Sequence, residues 1–178
     1  RECVTKASKA ANWSQKKNNK TPFKGIGLAC CNHVSGNRPF AREFDGGSGI
    51  VRVGKDGRIT VFHGESDMGQ GQNTTFAQIV AERLGVTMDM VNVAQVDTDI
   101  SPFGLGSFAT RGTLMGGNGV LAAAKDAYDQ MADIAADMLN TKAADVACRK
   151  AMFFSKSSSE TKISFQDIAS EADRKSVV

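Results

Sequence analysis

The sequence predicts an α+β fold: a mixed sheet built around a β-hairpin and packed against two main helices. Three observations carry this. Two strand-like runs, GIVRV (49–53) and RITVFHG (58–64), flank Lys55-Asp56-Gly57. Asp-Gly is the dipeptide that tight hairpin turns favour, because their central residues need positive φ. Apolar residues then recur at spacings of three and four over 74–84, and again over roughly 113–139.

Taken in order, residues 1–13 suit a short helix with Val4, Ala7 and Ala11 on one side, and 16–22 is a polar connector. The run KGIGLACCNHV (24–34) reads as a buried strand opened by glycines, and 35–47 as turn or loop. In the hairpin, Val51 and Val53 share one face and Ile50 and Arg52 the other, while Ile59 and Val61 alternate with Thr60 and Phe62. Phe76, Ile79, Val80 and Leu84 form the apolar stripe of the first main helix. Asn73 or Thr74 is its expected N-cap and Gly85 its stop. A further strand follows at 90–96. On the long helix Leu121, Ala124, Tyr128, Met131, Ala135 and Met138 mark the buried face. Gly116, Gly117 and Gly119 weaken that helix, which points to close approach of its backbone to another surface. The tail alternates strand-like pieces with a polar run at 157–159, and 163–172 suits a last short helix. The expected organisation is a basic N-terminal helix and linker (1–24), an α+β core (25–145) and a strand/helix extension (146–178).

A chain of 178 residues, 41% of them hydrophobic, can build one domain with a real core or two very small ones. The net charge is only +3, but 1–24 holds seven basic residues against Glu2 alone. A solvated helix face with a polar linker explains that arm better than a nucleic-acid contact, since one Trp and one Tyr leave few stacking platforms. Cys3, Cys30, Cys31 and Cys148 form no C-x-x-C pair, which excludes iron–sulfur, zinc and secreted-disulfide patterns and predicts reduced, cytoplasmic thiols. Neither signal peptide nor membrane span is visible. The opening RECVTKASKA lacks an initiator Met and reads as mid-helix, so a piece of a longer subunit is expected.

Two glycine-rich loops, each feeding a helix, carry the chemistry. In the first, Gly69-Gln70-Gly71 places backbone N–H groups at a helix N-terminus, where an anion is attracted. Gln70 and Gln72 both donate and accept, which suits a flat heterocycle. In the second, Ser107, Thr110 and Thr113 offer hydroxyls, Arg111 a fork suited to phosphate, and Gly104, Gly106 and Gly112 close approach. Neither loop is a Walker loop or a dinucleotide fingerprint. On spacing alone, a strand-to-helix connection explains either loop; together they can clasp one extended ligand.

The combination GQGQNTTFAQIVAERLG and VDTDISPFGLGSFATRGTLMGGNGV resembles the molybdopterin-binding large subunit of molybdenum hydroxylases, the xanthine dehydrogenase, aldehyde oxidoreductase and carbon monoxide dehydrogenase family. Within that family GIGLACCNHVSG and DGRITVFHG look most like the 4-hydroxybenzoyl-CoA reductase branch. The resemblance implies that Gly69, Gln70, Gly71 and Gln72, with Phe108, Ala109, Thr110, Arg111 and Gly112, hold the pyranopterin and its phosphate or dinucleotide tail. It implies a molybdenum–molybdopterin cofactor with the metal on dithiolene sulfurs, so that no protein metal ligand is required. Iron–sulfur and FAD groups would lie on other domains or subunits, and the substrate would be a small molecule. The family's essential glutamate belongs to a later glycine-rich motif of a much longer subunit. Glu65 is not that residue, no catalytic residue is assigned here, and a cofactor-holding fragment inactive by itself is expected. A standalone anion- or nucleotide-binding module is the alternative.

Other candidates have plainer explanations. Asp97 and Asp99 can bind a hard cation, but a local Asx turn is the favoured reading. His33 and His63 are read as packed or surface histidines, and Cys30 and Cys31 as core thiols.

Overall fold

The computed structural model describes residues 1–33, 46–158 and 160–175. The chain divides into two compact units, Arg1–Val34 and Ser35–Val178.

In the first unit, α1 (Glu2–Ala10) and α2 (Trp13–Lys16) are separated by Asn12 in the left-handed conformation, and neither buries a residue. The strand expected at 24–34 does not form over its described part. Residues 24–33 have no regular structure, and Cys30, Cys31 and His33 are exposed. A short apolar run becomes a strand only where a partner strand accepts its hydrogen bonds, and among the described residues none pairs with it. The core-thiol reading falls with it. Most of the loop expected at 35–47 lies outside the described residues.

In the second unit the hairpin forms where the sequence places it. β1 (Gly49–Val53) and β2 (Ile59–His63) run antiparallel with Val51 opposite Val61. The turn closes by the Gly57 N–H donating to the Gly54 carbonyl at 2.8 Å, with Gly57 at φ +78. Ile59 and Val61 are fully buried. From β2 the chain crosses through α3 (Gln72–Leu84) to β3 (Val91–Val93), which pairs parallel to β2 and makes the sheet mixed. A parallel neighbour requires such a crossover, so topology puts a loop and a helix N-terminus at the end of β2.

Phe76, Val80 and Leu84 give α3 its buried stripe. Gly85, at φ +73, ends the helix, and the Val86 N–H reaches back to the Ala81 carbonyl at 3.0 Å. A Cβ on Gly85 would fall on the Cys148 carbonyl, so both conformation and space require glycine there. The N-cap is Gly71, not Asn73 or Thr74. The carboxylate that caps the helix instead comes from Asp67, described below.

One π-helical turn, Gly112–Gly116, leads into α4 (Gly117–Leu139), which packs against α3 and β1. Its buried face is Val120, Ala124, Met131, Ala132, Ala135 and Ala136. Leu121 and Met138, expected inside, are 42% and 44% exposed. Side-chain size misled the reading, because small alanines let α4 lie close against its neighbours. The tail forms an antiparallel sheet of β4 (Val146–Arg149), β5 (Met152–Ser155) and β6 (Lys162–Ser164), followed by α5 (Phe165–Lys175). Phe153 and Phe165 stack in the core with centroids 5.8 Å apart. Half-buried Cys148 lies on this sheet, and burial pushes its thiol up to about 12.

The close backbone approach expected from the α4 glycines is present. A Cβ on Gly116 would meet Glu65 Cγ at 2.5 Å and Phe76 Cζ at 2.9 Å, and one on Gly119 would meet the Gly47 carbonyl. In an open helix Gly→Ala gains about 1 kcal/mol. Gly119→Ala is expected to lose about 1–3 kcal/mol instead, because main chain cannot rotate aside. A fall in the urea midpoint of the variant checks this.

Candidate functional site

The end of β2 is the floor of the site. His63 is buried, its ring edge-on to Phe76 at 4.7 Å. Its Nδ1 accepts the Glu65 N–H at 3.3 Å, so Nε2 carries the proton and donates to Asn73 Oδ1 at 3.1 Å. Burial holds the His63 pKa below the ordinary histidine value, and the imidazole stays neutral. It is a packed histidine, as the sequence suggests.

Two residues further, Glu65 is fully buried and opposed by an equally buried Arg111. Arg111 Nη1 donates to Glu65 Oε1 at 2.7 Å and Oε2 at 2.9 Å, and to the Gly106 carbonyl at 2.9 Å, while Nη2 donates to the Gly46 carbonyl. The guanidinium therefore points into the protein. The sequence offered it as a fork for phosphate; the structure directs it to a carboxylate and two carbonyls instead. The backbone just before it is strained. Ala109 and Thr110 sit at φ +47 and +58, and for β-branched Thr this conformation is costly. Ala109 is 4% exposed, Phe108 stands outside with the guanidinium 5.6 Å from its ring centre, and the Ser107 hydroxyl donates across to the Ser66 carbonyl.

The first loop is also self-bonded. Asp67 Oδ1 accepts the N–H groups of Gly69 at 2.9 Å and Gly71 at 3.3 Å, and Oδ2 accepts that of Asn73 at 3.1 Å. The Gln70 amide bonds the Met68 N–H at 2.6 Å and the Ser66 carbonyl at 3.0 Å. Gly69 and Gly71 are required by their positive φ, 103 and 78, and a Cβ at either would meet open space. The N–H groups of Gly69, Gly71 and Asn73, which an anion would seek, are thus already engaged.

Gln72 differs. It is 4% exposed, and its Nε2 has no hydrogen-bond partner. Its amide oxygen lies where a Cβ on Gly112 would be, so glycine at 112 makes room for it. Gln72 faces a cleft of about 390 Å³, lined by Met68, Gln70 and Gln72 from the first loop and by 107–113 of the second. The structure therefore gathers Gln70, Gln72, Phe108, Ala109, Thr110, Arg111 and Gly112 at one cleft, whose lining does not include Gly69 or Gly71. Sequence reasoning missed the Glu65–Arg111 pair. The signal available was a Glu two residues beyond His63, the core-facing last residue of β2.

Asp97 Oδ1 accepts the Asp99 N–H at 2.8 Å, the favoured Asx turn. Among the described residues no group of three or more His, Cys, Asp or Glu is placed to hold a metal ion.

A family model described as the molybdopterin cofactor-binding domain matches residues 4–178. The chain is similar to a putative xanthine dehydrogenase molybdenum-binding subunit of Escherichia coli, 30% identical over 96% of this chain and 23% of the relative. It is similar to the carbon monoxide dehydrogenase large chain of Hydrogenophaga pseudoflava, 32% identical over 72% of this chain and 17% of the relative. Among solved structures, quinoline 2-oxidoreductase from Pseudomonas putida superposes on 74% of this chain and 16% of its own with a TM-score of 0.68 and 25% identity. The chain spans about a quarter or less of the length of these relatives.

Two outcomes are expected from the floor of the site. Glu65→Gln leaves a buried guanidinium without its counter-charge and should cost about 3–5 kcal/mol in urea unfolding, whereas Glu65→Met combined with Arg111→Met should recover most of it. For His63, the folded state prefers the neutral ring, so its contribution is complete above pH 6.5 and is lost as pH falls below that value. Thermal unfolding of wild type should lose stability below pH 6.5 more steeply than His63→Gln.

Proposed function

This chain belongs to the molybdopterin cofactor-binding domain family of xanthine dehydrogenase- and carbon monoxide dehydrogenase-type molybdenum hydroxylase large subunits, and we propose that its two glycine-rich loops hold the pyranopterin of a molybdenum cofactor. The observation that carries this is the orphaned amide of Gln72, buried and directed at a cleft between the two loops. A buried donor without an acceptor costs about 1–3 kcal/mol, and a heteroatom-edged ring in the cleft would remove that cost. The residues present therefore fit a flat, polar-edged group. Gln72 would meet its edge, and 107–113 of the second loop would hold its far side. Arg111 would shape the loop from within rather than touch the tail.

When bound, the cofactor supplies a metal centre for two-electron oxidation or reduction, and the protein supplies binding and orientation. The proposed activity of the whole enzyme is water-derived hydroxylation of an aldehyde or heterocycle. In the 4-hydroxybenzoyl-CoA reductase-like branch, which the GIGLACCNHVSG segment supports, it is reductive dehydroxylation of an aromatic acyl-CoA. The proposed setting is cytoplasmic, with the remainder of a large subunit and with iron–sulfur and flavin domains or subunits as partners.

Molybdenum and oxidised fluorescent pterin, measured on the full-length protein purified from its own host, test the reading together with Gln72→Met. Near-stoichiometric molybdenum and pterin are expected in wild type. The variant should show the opposite signs of a binding residue, with higher stability of the empty protein by about 1–3 kcal/mol and lower pterin content. Absence of both from folded wild type would leave a standalone nucleotide-binding module as the better account.

A further inference from the structure

The N-terminus of α3 already contains an anion, and it is the protein's own. Three backbone N–H groups, those of Gly69, Gly71 and Asn73, converge on the Asp67 carboxylate within 2.9–3.3 Å. Gly69 and Gly71 are both left-handed, a conformation that turns successive N–H groups to one side and makes an anion-binding concavity. The helix behind them is 13 residues long and adds its partial positive charge. These are the donors that a phosphate or carboxylate would otherwise seek. The hydrogen bonds hold the Asp67 carboxyl below the usual carboxylate range, so it is ionised at neutral pH.

We infer that Asp67 is the positioning residue of the first loop: its carboxylate is a resident anion that closes the N-terminus of α3 to anionic ligands and fixes the backbone from which Gln72 reaches the cleft. Gln70 completes the closure by tying the Met68 N–H and the Ser66 carbonyl, and that carbonyl also accepts the Ser107 hydroxyl from the second loop. The first loop thus offers the cleft a neutral amide rather than an anion site. Asp67 does not line the cleft. Its assignment rests on its own hydrogen bonds; only its effect on cofactor retention rests on the pterin reading.

Anion rescue tests the assignment on the full-length protein without requiring cofactor. Thermal unfolding of wild type, Asp67→Ala and Asp67→Asn would be followed in sodium formate, with sodium chloride at equal ionic strength as control. Wild type should respond to formate as it does to chloride. Asp67→Ala should unfold about 2–6 °C lower, and formate should restore more than half of the loss. A purely structural role would give the loss without the rescue. Equal action of formate and chloride on Asp67→Ala overturns the inference, as does unfolding indistinguishable from wild type. If Asp67→Ala yields no folded protein, Asp67→Asn decides, since it keeps one acceptor oxygen and removes the charge; a Tm equal to wild type at pH 7 overturns the inference and a lower one supports it. Pterin content on the same samples separates the two readings. Rescue by formate in a protein whose wild type carries no pterin keeps the role of Asp67 and removes the cofactor.

Discussion

The buried ion pair between Glu65 and Arg111 is the constraint on which the site depends. Both side chains are withdrawn from water, and each is acceptable there only because the other is present. Glu65 lies two residues past the end of β2, which the core fixes, whereas Arg111 belongs to a long loop. The pair, with the carbonyls of Gly46 and Gly106, ties that loop to the segment that follows β2. It also accounts for the left-handed Ala109 and Thr110. A strained conformation persists where the residues on either side are held more firmly than the strain can displace them, and Arg111 provides that hold next door.

The two loops divide the electrostatics between them. Each glycine-rich turn carries a charged side chain that satisfies backbone groups internally, Asp67 on N–H donors and Arg111 on carbonyl acceptors. What remains for a ligand is mostly uncharged: the Gln72 amide, the hydroxyls of Thr110 and Thr113, the Phe108 ring and peptide groups. Such a surface suits a heterocycle with alternating donors and acceptors, because neutral hydrogen bonds discriminate by geometry while charges attract without regard to shape.

How far the sequence could be read depended on the range of the interactions involved. The Asp56-Gly57 hairpin, the stripe of Phe76, Val80 and Leu84, and the Gly85 stop are set by residues a few positions apart, and all were legible. So was the gathering of the two loops, through their resemblance to a known family. The strand expected at 24–34 failed because pairing is a property of two segments. The N-cap was misplaced because the capping oxygen comes from Asp67, several residues upstream, and reaches α3 only once the glycine turn has folded. Arg111 was identified as important but its direction was inverted. A guanidinium in a glycine loop looks outward until the acid 46 positions earlier is known to lie beneath it.

The placing of the thiols has a chemical consequence. Cys148 is half-buried on the second sheet with its pKa pushed up to about 12, so almost none of it is thiolate at neutral pH. Cys3, Cys30 and Cys31 are exposed, and all three belong to the first unit. Alkylating reagents and mild oxidants will therefore meet the chain at one end. A dye or spin label attached through a maleimide would therefore enter the first unit, because Cys148 of the second offers almost no thiolate.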